Sequence, residues 1–316
     1  MTDKSDGSWW FHPYDVSFYG IRCTHQPSPW ISDYGQFTVS GNIVDPKHQD
    51  VNQFSAFDPS KSVFKPYHFK TDLLAYGTSE SYTTIEVTSS SHGAIVRLQF
   101  PPFDEGSNFN QTRRVIVGLN GGEDGSSIGT LDDGAIAIMG ASRANSGGIP
   151  NGDQFAHHFV VGFYGGKDGD KPIGPEHILS SSSSNSAAWV DFTAQSDITD
   201  IITLRIATSF ISPEQALTSL GLEVPPHVPF EELLQASRDD WNAVLGRVSV
   251  DTVPASYSST EANDLLVTFY SSLYRASLFP RQLSEINAEG GLVHWSPFSE
   301  EGGVFSGPIS TDSGFW

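Results

Sequence analysis

Between about residues 81 and 209 the chain holds no pattern for long: short stretches of alternating apolar and polar residues are broken by Gly, Ser, Asn and Asp. Alternation puts every second side chain on one face, so each stretch covers a core with one face and meets a different environment with the other. Residues 94–100 place Ala94, Val96, Leu98 and Phe100 together, residues 113–119 place Val115, Val117 and Leu119, and residues 201–208 place Ile202, Leu204 and Ile206. Residues 135–139 and 158–163 read as buried strands. Many short strands with turn-rich spacers predict a mainly β fold, an antiparallel β-sandwich or barrel. The glycine-rich stretches 121–125 and 165–170 read as tight turns, since neither has the ligand spacing of an EF-hand calcium loop. The serine run 180–184 reads as a flexible surface loop.

The pattern then turns helical. Ser212, Pro213 and Gln215 form a helix start, with a capping hydroxyl, a proline at the first position and Gln three residues after the cap. In residues 229–245, Phe230, Leu233, Leu234, Trp241, Val244 and Leu245 follow helical spacing and Gly246 stops the helix. A third helix is expected over residues 260–278, where Leu266, Phe269, Tyr270, Leu273, Tyr274 and Leu278 make a broad apolar stripe ahead of Pro280. One amphipathic helix cannot bury its own stripe, so this one needs partners beyond itself.

Several classes of function fall away on composition. Seventeen basic residues against 37 acidic ones give a formal charge of −20, which repels polyphosphate and argues against nucleic acid or an anionic membrane as partner. No apolar run approaches the ~18 residues that span a bilayer, and residues 1–7 lack the layout of a secretory signal. Cys23 is the single cysteine, read as a small hydrophobe rather than a reactive thiol. There is no G-x-S-x-G, H-E-x-x-H, Walker A or dinucleotide fingerprint. His157 and His158 are adjacent in an alternating strand, so their rings face opposite ways and do not share a metal.

Two clusters could carry chemistry. Residues 20–35 are neither alternating nor helical, and Pro27 and Pro29 stiffen them into an extended loop presenting His25, Gln26, Trp30, Asp33 and Tyr34. Such a loop suits a sugar, with the indole on C–H patches and His and Asp on hydroxyls; equally, Trp30 and Tyr34 could cap the core and Asp33 serve a turn. The second cluster, residues 296–316, reads as a loop. It contains Asp312, either a ligand carboxylate or an Asx-turn residue, and Glu300-Glu301, a solvated charge pair. No matched pair of catalytic carboxylates is identified by spacing.

At these clusters the sequence resembles glycoside hydrolase family 92, the calcium-dependent exo-acting α-mannosidases, and more closely its fungal members. The stretches that carry the resemblance are G-I-R-C-T-H-Q-P-S-P-W-I-S-D-Y-G-Q-F at 20–37, K-P-Y-H-F and L-L-A-Y-G-T within 64–88, F-Y-S-S-L-Y-R-A-S-L-F-P-R at 269–281, and H-W-S-P-F followed by D-S-G-F-W at the end. The resemblance implies an amino-terminal β-sandwich (1–211), a helical linker (212–254) and the first part of an (α/α)6 catalytic barrel (255–316), with an end at Trp316 that reads as a cut through a longer protein. It implies that Arg22, His25, Trp30 and Asp33 help bind a terminal mannose from the sandwich side, and Asp312, Phe315 and Trp316 from the barrel side. No catalytic residue and no metal ligand transfers to this chain.

In complete enzymes of this kind the resemblance implies an inverting, α-1,2-mannosidase-like glycoside hydrolase acting on high-mannose N-glycans or mannan, with calcium holding sugar hydroxyls. The remainder of the catalytic barrel would be the intramolecular partner. By itself the chain is expected to bind mannose-containing glycans at most, to hold no calcium and to lack activity. A stand-alone lectin-like sandwich and a nonfunctional fragment are the alternatives.

Overall fold

The computed structural model describes residues 16–23, 34–47, 54–75, 80–102, 111–119, 125–144, 149–192, 199–251, 256–278 and 281–311. Their order begins with β1 (Ser17–Phe18), β2 (Ile21–Cys23), β3 (Phe37–Val44), β4 (Ser55–Ala56), β5 (Val63–Lys65), β6 (His68–Leu74), β7 (Tyr82–Ser89) and β8 (Gly93–Gln99). It continues with β9 (Thr112–Leu119), β10 (Ser126–Thr130), β11 (Ile136–Ser142), β12 (His157–Gly165), β13 (Lys171–Pro172), β14 (Ile178–Ser183), β15 (Ala187–Phe192) and β16 (Ile201–Ser209). Three helices follow: α1 (Pro213–Glu223), α2 (Phe230–Leu245) and α3 (Ser259–Ala276). Five short strands close the described chain: β17 (Arg281–Gln282), β18 (Glu285–Ile286), β19 (Leu292–Ser296), β20 (Gly303–Ser306) and β21 (Ser310–Thr311).

Two antiparallel sheets face each other, as the alternation predicts. One runs β10-β11-β12-β16-β8-β7-β6-β5, with β13 also on β12; the other runs β14-β15-β9-β3-β2. Between them lies the main core: Val96 and Leu98 of β8, Val115 and Val117 of β9, Phe159, Val161 and Phe163 of β12, and Ile202, Leu204 and Ile206 of β16. Register supports this layer, since Val161 lies opposite Ile206 and Phe163 opposite Leu204. The other side of the larger sheet is also covered. Ile95, Ala137, Val160 and Ala207 pack under Ala216 and Leu220 of α1 and Phe230 and Leu233 of α2, so the sheet is apolar on both faces and the two helices form a third layer.

That third layer is tied down by an arginine. Arg205 stands on the helix-facing side of β16 and is fully buried. Its guanidinium donates to the Gly169 carbonyl from Nη2 (2.9 Å), to Val224 and Pro225 from Nη1 (3.2 and 2.6 Å), and to Pro226 from Nη2 (2.9 Å). Four carbonyls thus replace a carboxylate as partner, and burial pulls its pKa below the ordinary arginine value. Gly166 and Gly169 adopt positive φ (79° and 65°) to make the turn before β13. The turn reading of 165–170 therefore holds, and its carbonyl is engaged by a cation of the chain itself. The other glycine-rich stretch lies largely outside the described residues.

The helix start at Ser212 forms as expected: its side chain accepts from the Gln215 N–H, with Pro213 at the first position. The Gln215 amide does not turn back to the cap but donates to the Ile286 carbonyl (2.7 Å). α3 exposes much of its apolar surface. Val267 is 56% and Leu265 45% exposed, and no residue of the helix is buried; its contact with α2 is a tilted Trp241–Tyr274 ring pair at 4.9 Å.

Two expectations are overturned. The serine run is not a loop: Ser180–Ser183 belong to β14 and pair with Ala188–Asp191 of β15, and Ser180 donates to Asp191 (2.9 Å). Pairing with an ordered neighbour overrides the weak strand preference of serine. Nor is the stretch expected as a loop, 296–316, all loop where it is described: β20 and β21 lie within it. β18, β19 and β20 form a three-stranded antiparallel sheet, because Val293 and Trp295 alternate with His294 and Gly302 and Gly303 adopt the positive φ that lets the chain return.

Candidate functional site

The stretch 24–33 begins and ends on the sandwich. β2 delivers Arg22 and Cys23 at one end of the smaller sheet, paired with Thr38 and Phe37 of β3. Beside them a cavity of about 300 Å³ is lined by Ile21, Arg22, Cys23, the 89–92 turn, His157 and Thr208. Arg22 Nη1 donates to Gln36 Oε1 (2.7 Å), so the guanidinium has a fixed position at the cavity wall. Cys23 packs against the main core, and burial pushes its thiol up to about 12. It is neutral at physiological pH and acts as a hydrophobe, as read from the sequence.

The chain re-enters at Tyr34 and Gly35. Tyr34 packs edge-on against Phe155, ring centroids 5.3 Å apart, the core-capping alternative for that residue. Gly35 sits at φ +61°, and a Cβ there would collide with the His157 side chain; the position requires glycine for both reasons. Its carbonyl accepts from His157 Nδ1–H at 2.7 Å, which sets the tautomer of the neutral ring. Burial pushes His157 down to about 4. His157 stacks on Phe210 at 4.7 Å, while the neighbouring His158 faces the other way and is only half-buried. The two do not converge, as expected of adjacent residues in a strand.

Behind the cavity lies a charged pair. Glu223, the last residue of α1, accepts from Ser90 Oγ (2.6 Å), the His92 N–H (2.8 Å) and His92 Nδ1–H (2.8 Å). Burial opposes charge on both partners, but their mutual attraction wins: His92 is raised above its ordinary value and Glu223 is lowered. The 281–311 unit docks close by. Trp295 stacks on Phe155 at 5.3 Å, Phe155 on Phe210 at 4.7 Å, and Leu283 completes the cluster. Asn151 Nδ2 donates to the Pro297 and Ser299 carbonyls (3.0 and 2.9 Å).

Of the residues expected to bind sugar, Arg22 lies at this cavity. His25, Trp30, Asp33, Asp312, Phe315 and Trp316 fall outside the described residues. Sequence reading missed His92, Glu223, Gln36 and Glu285. His92 and Glu223 are 131 positions apart, and no local pattern announces such a pair. Among the described residues no group of three or more His, Cys, Asp or Glu side chains is placed to hold a metal ion.

Two parts of the chain match known protein families. Residues 1–209 match the glycosyl hydrolase family 92 N-terminal domain and residues 215–315 match the family 92 catalytic domain. A search of the curated proteins gives no match. Among solved structures, the family GH92 inverting mannosidase BT2199 from Bacteroides thetaiotaomicron VPI-5482 is 30% identical, with a TM-score of 0.74 over 98% of this chain and 38% of that one. The GH92 glycosyl hydrolase ccman5 (17% identity, TM-score 0.65, 94% and 38% covered) and the B. thetaiotaomicron α-mannosidase BT3965 (16%, 0.57, 89% and 38%) share the fold. The chain therefore spans 38% of the length of these relatives. With a family domain matched over about two thirds of its length, the chain belongs to glycosyl hydrolase family 92.

Proposed function

We infer that this chain supplies the sandwich side of a mannose-binding pocket in an inverting α-mannosidase acting on α-1,2-linked mannose of high-mannose N-glycans or mannan. The observation that carries the reading is the placement of Arg22. It sits at a cavity between the sheets, oriented by Gln36, where the T-H-Q-P-S-P-W stretch leaves β2. A guanidinium so held presents donors to sugar hydroxyls without first having to be ordered. His25, Trp30 and Asp33 of that stretch, and Asp312, Phe315 and Trp316, are proposed to complete the contacts. Calcium belongs to the proposal only through residues outside this chain, and no step here depends on it.

Chemistry is a separate matter. Glycoside hydrolysis uses two carboxyl groups, an acid at the leaving oxygen and, for inversion, a base on the attacking water. Among the described residues the cavity lining contains no Asp or Glu, His157 is neutral and engaged, and His92 is paired with Glu223. Residues 1–316 are therefore proposed to bind without cleaving.

The test measures mannose release and calorimetric binding with α-1,2-mannobiose, using the purified chain and Arg22→Ala. No release, with weak binding further weakened at least severalfold by the substitution, is expected. Mannose release would overturn the inactivity, and equal binding by both proteins would overturn the role of Arg22. Tight binding by the chain alone would favour the stand-alone lectin reading instead.

A further inference from the structure

The joint between the sandwich and the 281–311 unit contains an ionisable group that packing alone does not explain. Glu285 is 1% exposed. Its Oε1 accepts from the Phe210 N–H at 2.7 Å, while Oε2 has no hydrogen-bond partner among the described residues. The Ser209 hydroxyl and the Phe210 N–H favour the charged form, but burial outweighs them and raises Glu285 above the ordinary carboxylate value, so the protonated form is the better tolerated one. Facing it are His92 from the β7–β8 turn and Glu223 from the end of α1. The remaining titratable groups nearby act elsewhere: His157 is lowered by His158 and His92, and His158 answers to Arg143 and Glu214.

The geometry points to a proton-operated latch: the 281–311 unit docks on the sandwich with Glu285 protonated and His92 charged, and loosens when both have given up their protons. The two events reinforce each other. Once His92 is neutral, Glu223 keeps its bonds from Ser90 and the His92 N–H but loses its counter-ion, leaving an uncompensated negative charge near Glu285 just as Glu285 becomes charged. Burial raises Glu285, with Glu223 adding to the effect and His92 opposing it; His92 is raised chiefly by Glu223, and from the docked unit by Glu285 and the Ser284 backbone. Docking thus binds both protons more tightly than the undocked form does, so it is favoured at lower pH and lost as pH rises through the raised values. Glu223 is shifted the opposite way, and its contribution disappears only in acid. His157, at about 4, remains neutral throughout the neutral and alkaline range and does not contribute. Because His92 also lines the cavity, the state of the latch is felt at the candidate binding site.

The experiment is hydrogen exchange by mass spectrometry on the full chain from about pH 4.5 to about pH 8.5, corrected for intrinsic rates. Peptides covering 283–296 are read against those covering β16. Protection over 283–296 is expected to fall about tenfold or more with rising pH while β16 stays protected. Glu285→Gln keeps the shape without the charge and should flatten the dependence. Leu283→Ala should lower protection at every pH with the slope retained. A pH-independent wild type, or Glu285→Gln with the wild-type slope, overturns the latch. Should Glu285→Gln fail to fold, His92→Gln removes the other proton, and an unchanged slope there overturns it equally.

Discussion

Replacing Arg205 with methionine is the most demanding single test of how this fold is assembled. Methionine matches the aliphatic stem and can refill much of the volume, so the lost packing is small. What disappears is one guanidinium bonded to four carbonyls, those of Gly169, Val224, Pro225 and Pro226. Each loses its charged donor, Gly169 both Nε and Nη2, in a place where water does not easily substitute. A hydrogen bond to a charged donor is worth roughly 1.5–3 kcal/mol, but bonds sharing one side chain do not add fully. Regaining solvation cost for the arginine offsets part of the loss, since the charge is unpaired by any carboxylate. About 3–5 kcal/mol of destabilisation is therefore expected, read as a fall in the urea midpoint with unchanged slope. Arg205→Lys should recover little, because one ammonium cannot reach both the 169 turn and the 224–226 linker. A loss below about 1 kcal/mol for Arg205→Met would refute the reasoning. So would full rescue by lysine.

Two further outcomes follow from buried polar groups. His157 has a folded value of about 4 against an ordinary 6.5, so acidification protonates the unfolded chain first and stability falls between those values. At about 1.4 kcal/mol per pH unit the loss reaches about 3 kcal/mol; His157→Gln should show that much less acid sensitivity in chemical denaturation, and an identical pH profile would contradict it. Arg114 and Asp191 are fully buried and joined twice, from Nε (2.6 Å) and Nη2 (2.8 Å). Asp191→Asn should cost about 3–5 kcal/mol, and the apolar double variant Arg114→Met, Asp191→Leu less than that; thermal melts that order the two the other way would argue against the pair.

How far the sequence reached depended on distance along the chain. The strand faces of 94–100, 113–119 and 201–208 were legible because alternation is local and the core answers to it directly. The capping of α1 by Ser212 was legible for the same reason. The serine run and the strand at 303–306 were not, because there strand formation comes from partners: Ala188–Asp191 for the serines, and the return of the chain at Gly302 and Gly303 for β20. At the candidate site the motif at 20–37 pointed to Arg22, and the burial of Arg205 had a trace in the sequence, a charge set among Ile202, Leu204 and Ile206. His92, Glu223 and Glu285 had none, since each is unremarkable among its own neighbours and acquires its role from residues more than 60 positions away.

The serines of β14 have a consequence beyond pairing. They form the outer strand of the five-stranded sheet, and any outer strand offers its free backbone groups as a template to a neighbouring molecule. Templated growth then needs side chains that interdigitate into a dry seam. Ser181, Ser182 and Ser183 are exposed and carry only short hydroxyls, which hold water and supply no such seam. A stretch that reads as filler is thus a guard: it lets the sandwich end in an open edge without inviting molecules to polymerise along it.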